Sequence, residues 1–426
     1  MRRSGTLSLV AIWLAALAGG AAWAGVLSVG PGELYATPCA AIAAAQDGDV
    51  IEVDAGTYAG DSCTIAADRL TLRGVNGRPK LVAPSPIPNQ KGIWVQTGAD
   101  LTVEGFEFTG ARLPVDKNGA GIRGQGGNLT IRGCWFHDND DGILVGPTDP
   151  DAGVLIENSE FSGNGAGDGL SHNIYISTPT RWFVMRASWS HDVSVGHLVK
   201  SRARENWLLY NRLTTEQGTT SYEVDLPNGG TSVVAGNLIE QGPNGQNNTI
   251  ITYGEEGIPA THRDDLYVVN NTMVNHRGSG LFVWVGNAAT PALVRNNIFR
   301  GGASVATLGN VAADHNITTQ TNLFADVDRF DYRLVDLEVS KEAVDKGADP
   351  GTTADGGSLA AVEQYLHPTS SEPRPVAGAT DIGAYELPYD DPPPPDPRCG
   401  CGASAGAPAV AVLLLALLRR VTSRRR

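Results

Sequence analysis

A chain of 426 residues with a formal charge of −14, 52 glycines and five cysteines is long enough for several ordinary domains or for one extended repeat. Seven of its cations are arginines at the two ends (Arg2, Arg3, Arg419, Arg420 and Arg424 to Arg426), so the segment between them is more acidic still, at −21. Such a surface repels nucleic acid and anionic lipid, which argues against a nucleic-acid role.

Residues 1–24 open with Arg2 and Arg3, continue with an apolar run from Leu7 to Ala18 and close on Ala22-Trp23-Ala24, the small-x-small pattern of a cleaved signal peptide. Thr37 as N-cap and Pro38 at the first helical position then predict a short Ala-rich helix ending near Gln46, which would cover the open N-terminal end of the body. Cys39 and Cys63 flank the first turn of the body and are expected to form a disulfide in an oxidising compartment, leaving Cys134 single. No CxxC or HExxH spacing supports a structural zinc site.

Short segments of alternating apolar residues recur from there, each closing on a small or amide side chain. The closing residues are Cys134, Ser159, Ser188, Asn211, Asn237, Asn271 and Asn297, spaced 25, 29, 23, 26, 34 and 26 apart. Three positions before them stand Ile131, Ile156, Met185, Leu208, Val234, Val268 and Val294. Two positions after them stand Phe136, Phe161, Ser190, Leu213, Ile239, Met273 and Phe299. Period-two alternation repeated once per coil places these residues in one stacked interior, and the amide column is expected to bond from coil to coil where the backbone turns. A second strand in each coil covers 142–146, 172–177, 196–201, 221–226, 248–254 and 280–286, with Gly and Asn in the turns. Asp138, Asp140, Asp141, Asp149 and Asp151 read as turn residues.

These repeats resemble the pectate-lyase-like superfamily of right-handed parallel β-helices from Gly25 to about Thr318. The expected fold is all-β: a right-handed parallel β-helix solenoid over 25–328, with the short N-terminal capping helix and an irregular C-terminal cap over 329–387. Within 329–387, Asp331-Tyr332-Arg333-Leu334, Ala343 to Gly347 and Asp381 to Glu386 are similar to a cap found on many secreted bacterial β-helices, in which Asp345 and Asp381 would fix turns. Residues 388–398 form a Pro/Asp-rich linker. Residues 399–426 combine Cys399-Gly400-Cys401-Gly402, an apolar run from Ala407 to Leu418 and a basic end. The run is shorter than the roughly 20 residues of a membrane span. This ending resembles the tripartite sorting signal of myxobacterial surface proteins, which implies cleavage near, and lipid attachment to, Cys399 or Cys401; an ordinary tail anchor gives nearly the same address. The implied location is the outer-membrane surface of a Gram-negative bacterium, and the protein is expected to be a monomer.

The candidate site lies on the second strand. If Val199, Val224 and Thr252 point inward, Lys200, Asp225 and Tyr253 point outward above one another, about 4.8 Å apart, with Tyr175 and Trp284 extending the stripe. Aromatics around a charged pair commonly build a sugar-binding groove, and Asn173, Arg204, Glu223 and Glu255 complete the expected contacts. His172, His191 and His197 are three of only eight histidines, and Lys200, Arg202, Arg204 and Arg212 fall within sixteen residues of an acidic chain. Either an anionic ligand or ion pairs with Glu205, Glu216, Glu223 and Asp225 accounts for them. A polysaccharide lyase acting on uronic-acid glycans by β-elimination would use Arg202 to neutralise the sugar carboxylate and Lys200 as base, with His172 or His197 as substitute bases. β-Helix lyases of the chondroitinase B and alginate lyase kind likewise use Lys and Arg, which implies calcium held here by Glu223 and Asp225. Two alternatives stand beside the lyase. One is a glycoside hydrolase using Asp225 with Glu255 or Glu256; the other is a non-catalytic glycan-binding or adhesin-like module.

Overall fold

The computed structural model describes residues 24–387, apart from 287, 289, 307–309, 321, 322, 336, 376 and 377. The expected signal peptide up to residue 23, the linker at 388–398 and the sorting segment with Cys399 and Cys401 lie outside the described residues. Among the described residues no helix is long and apolar enough to cross a membrane.

Among the described residues the coils build three parallel sheets, which in chain order hold 12, 11 and 10 strands, each complete coil giving one strand to each. Strands adjacent in a sheet come from successive coils, so each connection passes once around the solenoid, as in a right-handed parallel β-helix. The sequence suggests two strands per coil where there are three. The residue closing each apolar segment is a turn, and the strand after it, such as Trp135–His137, belongs to the second sheet.

That turn depends on a left-handed residue immediately before it. Gly133, Asn158, Ala187, Tyr210, Gly236, Asn270 and Asn296 have φ between 48° and 66°, and Ala187 and Tyr210 adopt this conformation at a steric cost. The next side chain turns inward and bonds to its neighbouring coils. Asn237 Oδ1 accepts the Asn211 backbone N–H at 2.9 Å and the Asn211 side-chain amide at 3.0 Å, while Asn237 Nδ2 donates to Leu208 O at 2.8 Å. The same contact links Cys134, Ser159, Ser188 and Asn211, then Asn237, Asn271 and Asn297, and continues to Asn316, one coil beyond the column read from the sequence.

The interior matches the alternation. The seven residues from Ile131 to Val294 that precede the ladder are fully buried, and Phe108, Phe136 and Phe161 stack at 4.8 and 4.9 Å. Each fully buried side chain of this size contributes roughly 1.5–3 kcal/mol. At the N-terminal end, helix Pro38–Ala44 starts on Thr37, whose hydroxyl accepts the Ala40 N–H, and it buries Ala41 and Ile42 against the first coil. Cys39 and Cys63 form a disulfide with a Cα–Cα distance of 5.8 Å, and Cys134 is a buried free thiol pushed up to about 11 by burial.

The C-terminal segment lies along the flank rather than plugging the end. Phe324, Tyr332, Ala343 and Ile382 pack on Leu238, Val274 and Ile298 of the second sheet, and Leu359 packs with Trp207, Val233 and Val269 of the first. Buried Arg374 and Glu386 pin the segment internally, and Arg186 ties it to the coils through Glu363 at 2.8 Å. Among the described residues its packing falls on the first and second sheets.

Removing an amide in the middle of the ladder should cost more than its size suggests. Asn237→Ala strips the acceptor from the buried Asn211 N–H and is expected to destabilise the protein by about 1–3 kcal/mol. Asn237→Ser, which keeps a hydroxyl as Ser159 and Ser188 do, should cost less. Urea denaturation together with hydrogen exchange at the Asn211 amide measures both.

Candidate functional site

The outer face of the third sheet carries the candidate site. Cα pairing aligns Tyr175 with Lys200, Lys200 with Asp225, Asp225 with Thr252 and Thr252 with Trp284. Four of the five residues in this column are those expected from the sequence. The exception is Tyr253, which is fully buried beside Leu226 and donates its hydroxyl to Gly230 O at 2.8 Å, while Thr252 takes the outward position. Val224 pairs with Ile251, so the inward residues of that strand are Ile251 and Tyr253. The same column extends upstream through Leu144 to Arg123.

The charged groups around Lys200 are bonded to one another. Lys200 Nζ lies 2.9 Å from Asp225 Oδ2 and 3.7 Å from Glu256 Oε1. Asp225, 2% exposed at its side chain, also accepts the Thr252 hydroxyl at 2.8 Å and faces His197 Nε2 at 3.4 Å. Arg202 makes a bidentate pair with Glu256 at 2.6 and 2.8 Å, donates to Tyr175 Oη at 3.1 Å and to Asn228 Oδ1 at 2.5 Å. These bonds hold the Arg202 guanidinium above its ordinary value and Glu256 below its own. Glu255 and Glu256 both belong to the segment between strands Thr249–Tyr253 and Leu266–Val269, which overhangs the column. Glu255 accepts from Tyr222 Oη at 3.4 Å, and burial followed by the charge of Asp225 raises its pKa.

Beside this column runs a second one that the sequence reading missed. Asp141 Oδ1 accepts the His172 N–H at 2.8 Å, His172 Nδ1 accepts the His197 N–H at 3.1 Å, and His197 Nδ1 accepts the Tyr222 N–H at 3.2 Å. The rings stack, His172 on His197 at 4.6 Å and His197 on Tyr222 at 5.1 Å. The signal was a constant offset, because each of the four stands two residues before an inward aliphatic: Ile143, Ile174, Val199 and Val224. Burial holds His172 well below its usual value and His197 down at about 4. Both rings are therefore neutral near pH 7, and Nδ1, already accepting a backbone N–H, leaves the ring proton on Nε2.

Several expectations need correcting on this geometry. Neither His172 nor His197 is placed to act as a base, since one ring nitrogen is occupied and the other carries the proton. Lys200 Nζ spends its bonds on Asp225 and Glu256 rather than facing open solvent. Asn173 is fully buried, donating to Phe161 O and Ser190 Oγ and accepting from Asn164, so it holds a coil corner and meets no substrate. Glu223 is also fully buried, bonded to Thr215 and Gln241, and burial raises its pKa strongly. It thus lies inside while Asp225 points out, and the pair nominated for calcium does not share a site; among the described residues no three His, Cys, Asp or Glu side chains gather for a metal. Arg204 turns away to Asp151 and Pro150 O, and Arg212 lies on the second sheet with Glu216. His191 is there too, held by Asp192 and Glu160. Of the ion-pair partners expected for these cations, Asp225 pairs with Lys200 and Glu216 with Arg212, while Arg202 pairs instead with Glu256.

Residues 68–245 match the family model of the right handed beta helix region. Among curated proteins none matches the sequence. Among solved structures, the chain is similar to pectate lyase Pel9A, with 16% identity over 85% of this chain and 96% of that one at a TM-score of 0.44. It is also similar to a Geobacillus virus E2 protein, ORF18, with 13% identity over 65% of this chain and a TM-score of 0.41. The chain spans 55% of the viral protein's length. At these identities the likeness is one of fold alone.

The corner ladder has a spectroscopic consequence. Nitrogen-15 NMR should find both His172 and His197 as neutral Nε2–H tautomers at pH 7, with His197 titrating near pH 4. A folded-state pKa below the unfolded value of about 6.5 means that the ring's contribution to stability is present at pH 7 and falls between roughly pH 6.5 and 4. Titration of either ring near 6.5 in the folded protein would contradict the ladder.

Proposed function

We propose that this chain binds carbohydrate on the outer face of the third sheet, as a secreted protein displayed at the cell surface. One observation carries the reading: the in-register column Tyr175, Lys200, Asp225, Thr252 and Trp284, with a half-buried aromatic ring at each end of a row of fixed hydrogen-bonding groups. Aromatic faces receive the C–H faces of sugar rings, and the partly exposed Lys200 between them meets a hydroxyl. Asp225 and Thr252, 2% and 1% exposed, hold Lys200 in place rather than touching the saccharide themselves. The C-terminal segment, by covering the other two faces, favours this one as the working surface. The Cys39–Cys63 bond fits an oxidising compartment. Display rests on the Cys-Gly motif at 399–402, with the outer membrane as its partner and no nucleic acid.

Binding without cleavage is the reading the geometry favours. Elimination needs a group that can take the proton beside the sugar carboxylate, and His172, His197, Lys200 and Asp225 are each bonded within the protein. Hydrolysis between Asp225 and Glu255 or Glu256 meets the same obstacle at Asp225. A second reading, β-elimination from a uronic-acid glycan, draws on Glu255: exposed, raised in pKa and bonded through one oxygen to Tyr222 at 3.4 Å, its carboxylate keeps a second oxygen to take the proton, with Arg202 to meet the sugar carboxylate.

Affinity electrophoresis of the protein in gels containing alginate, polygalacturonate, glycosaminoglycans and neutral glucans, paired with ultraviolet absorbance of unsaturated products, separates these readings. The expected result is retention by at least one polymer, weakened about tenfold by Trp284→Ala and left alone by Leu34→Ala at the far end of the solenoid, with no absorbance rise. Retention by no polymer would remove the binding reading. A rise abolished by Glu255→Gln would establish the lyase instead, and one abolished by Lys200→Ala but not by Glu255→Gln would return the base to Lys200.

A further inference from the structure

We propose that Arg202, with Lys200, Tyr175 and Asn228, forms a subsite for the carboxylate of an acidic sugar, and that the chain's own Glu256 occupies it until such a ligand arrives. The inference rests on the carbohydrate reading and adds to it the ligand's charge and the means by which the subsite is kept closed.

A planar guanidinium binds a carboxylate best through two parallel N–H bonds, and Glu256 receives that pair from Arg202 at 2.6 and 2.8 Å. The rest of Arg202 is fixed by the fold: Nε is held by Tyr175 Oη, Nη1 is shared with Asn228, and the guanidinium lies 5.9 Å from the Tyr175 ring centroid. Lys200 Nζ, held by Asp225, adds a second positive charge 3.7 Å from the same Glu256 carboxylate. The receiving groups are thus rigid and largely covered, with the Arg202 and Lys200 side chains 17% and 12% exposed. Their occupant is not: the Glu256 side chain is 47% exposed.

The occupant can also leave without unfolding anything. The turn that carries it is anchored independently by the Glu256 N–H on Pro227 O, by Asn228 Nδ2 on Gly257 O, and by Ile258, which packs against the core. Only the Glu256 side chain reaches back over the coil of Asp225 to Arg202. Rotation about its own bonds therefore vacates the subsite and presents two paired donors and a nearby ammonium to an incoming carboxylate, beside the aromatic ring of Tyr175. Glu255, on the same turn, is engaged by Tyr222 and does not compete for Arg202.

The test compares polygalacturonate with its fully methyl-esterified form, two polymers with one backbone that differ in the free carboxylate. Glu256→Ala is expected to raise affinity for polygalacturonate about tenfold and to leave affinity for the esterified polymer unchanged, whereas Arg202→Gln in the Glu256→Ala background should remove the gain. Equal effects of Glu256→Ala on both polymers, or a fall in polygalacturonate affinity with the protein still folded by circular dichroism, would overturn the carboxylate subsite while leaving carbohydrate binding in place. Failure of the wild type and both variants to bind either polymer or any neutral glucan would overturn the subsite together with the carbohydrate reading.

Discussion

Everything in this molecule depends on successive coils staying in register, and the interaction that enforces it is the interior amide ladder. Backbone bonds between parallel strands set the spacing but tolerate slippage by two residues; a buried Asn whose Oδ1 must meet one particular N–H does not. The left-handed residue before each ladder position is the steric cost of making that turn in every coil, and the ladder bonds offset it. Sequence length between ladder residues can then vary from 19 to 34 while the spatial repeat stays fixed, because extra residues are expelled into turns. The longest interval, from Asn237 to Asn271, is the one that contains the turn bearing Glu255 and Glu256. A variable loop on an invariant scaffold is how this fold acquires a site.

Fixed register has an electrostatic consequence. Outward side chains in neighbouring coils are close enough to bond, so any polar residues placed there form a network with one another before they meet a ligand. Lys200, Asp225 and Thr252 are such a network, and Arg202 and Glu256 extend it. Partly buried ion pairs of this kind do little for net stability, since desolvation offsets most of the attraction, but they hold donors and acceptors in place. That suits a preorganised binding face better than a reactive one.

The fold is largely legible in the sequence, and particular residues show why the site is legible only in part. Ile131, Phe136 and their counterparts can be placed because alternation and the amide column agree, each fixing the phase of the other. Thr249 to Tyr253 offers no such agreement: Ile250, Ile251 and Thr252 are all β-branched and alternate in neither polarity nor size, so the sequence alone puts Tyr253 on the wrong face. Asn173 and Glu223 mislead for another reason: both turn inward, Asn173 to the carbonyls of Phe161 and His191 and Glu223 to the Thr215 hydroxyl and the Gln241 amide, and composition cannot distinguish that from exposure. Arg204 and Arg212 are close to Arg202 in sequence, yet a three-faced coil sends residues a few positions apart in different directions. The corner column of Asp141, His172, His197 and Tyr222 was within reach of a register argument, because its offset from the buried aliphatics is constant.

The most direct test of carbohydrate binding on the third sheet is a crystal structure of the protein soaked with an oligosaccharide of the polymer it retains best. Sugar density is expected along the outer face of that sheet between Tyr175 and Trp284, with the interior amide ladder unchanged from coil to coil. Density confined to the first or second sheet, or a register in which Lys200, Asp225 and Thr252 do not stand in line, would contradict it.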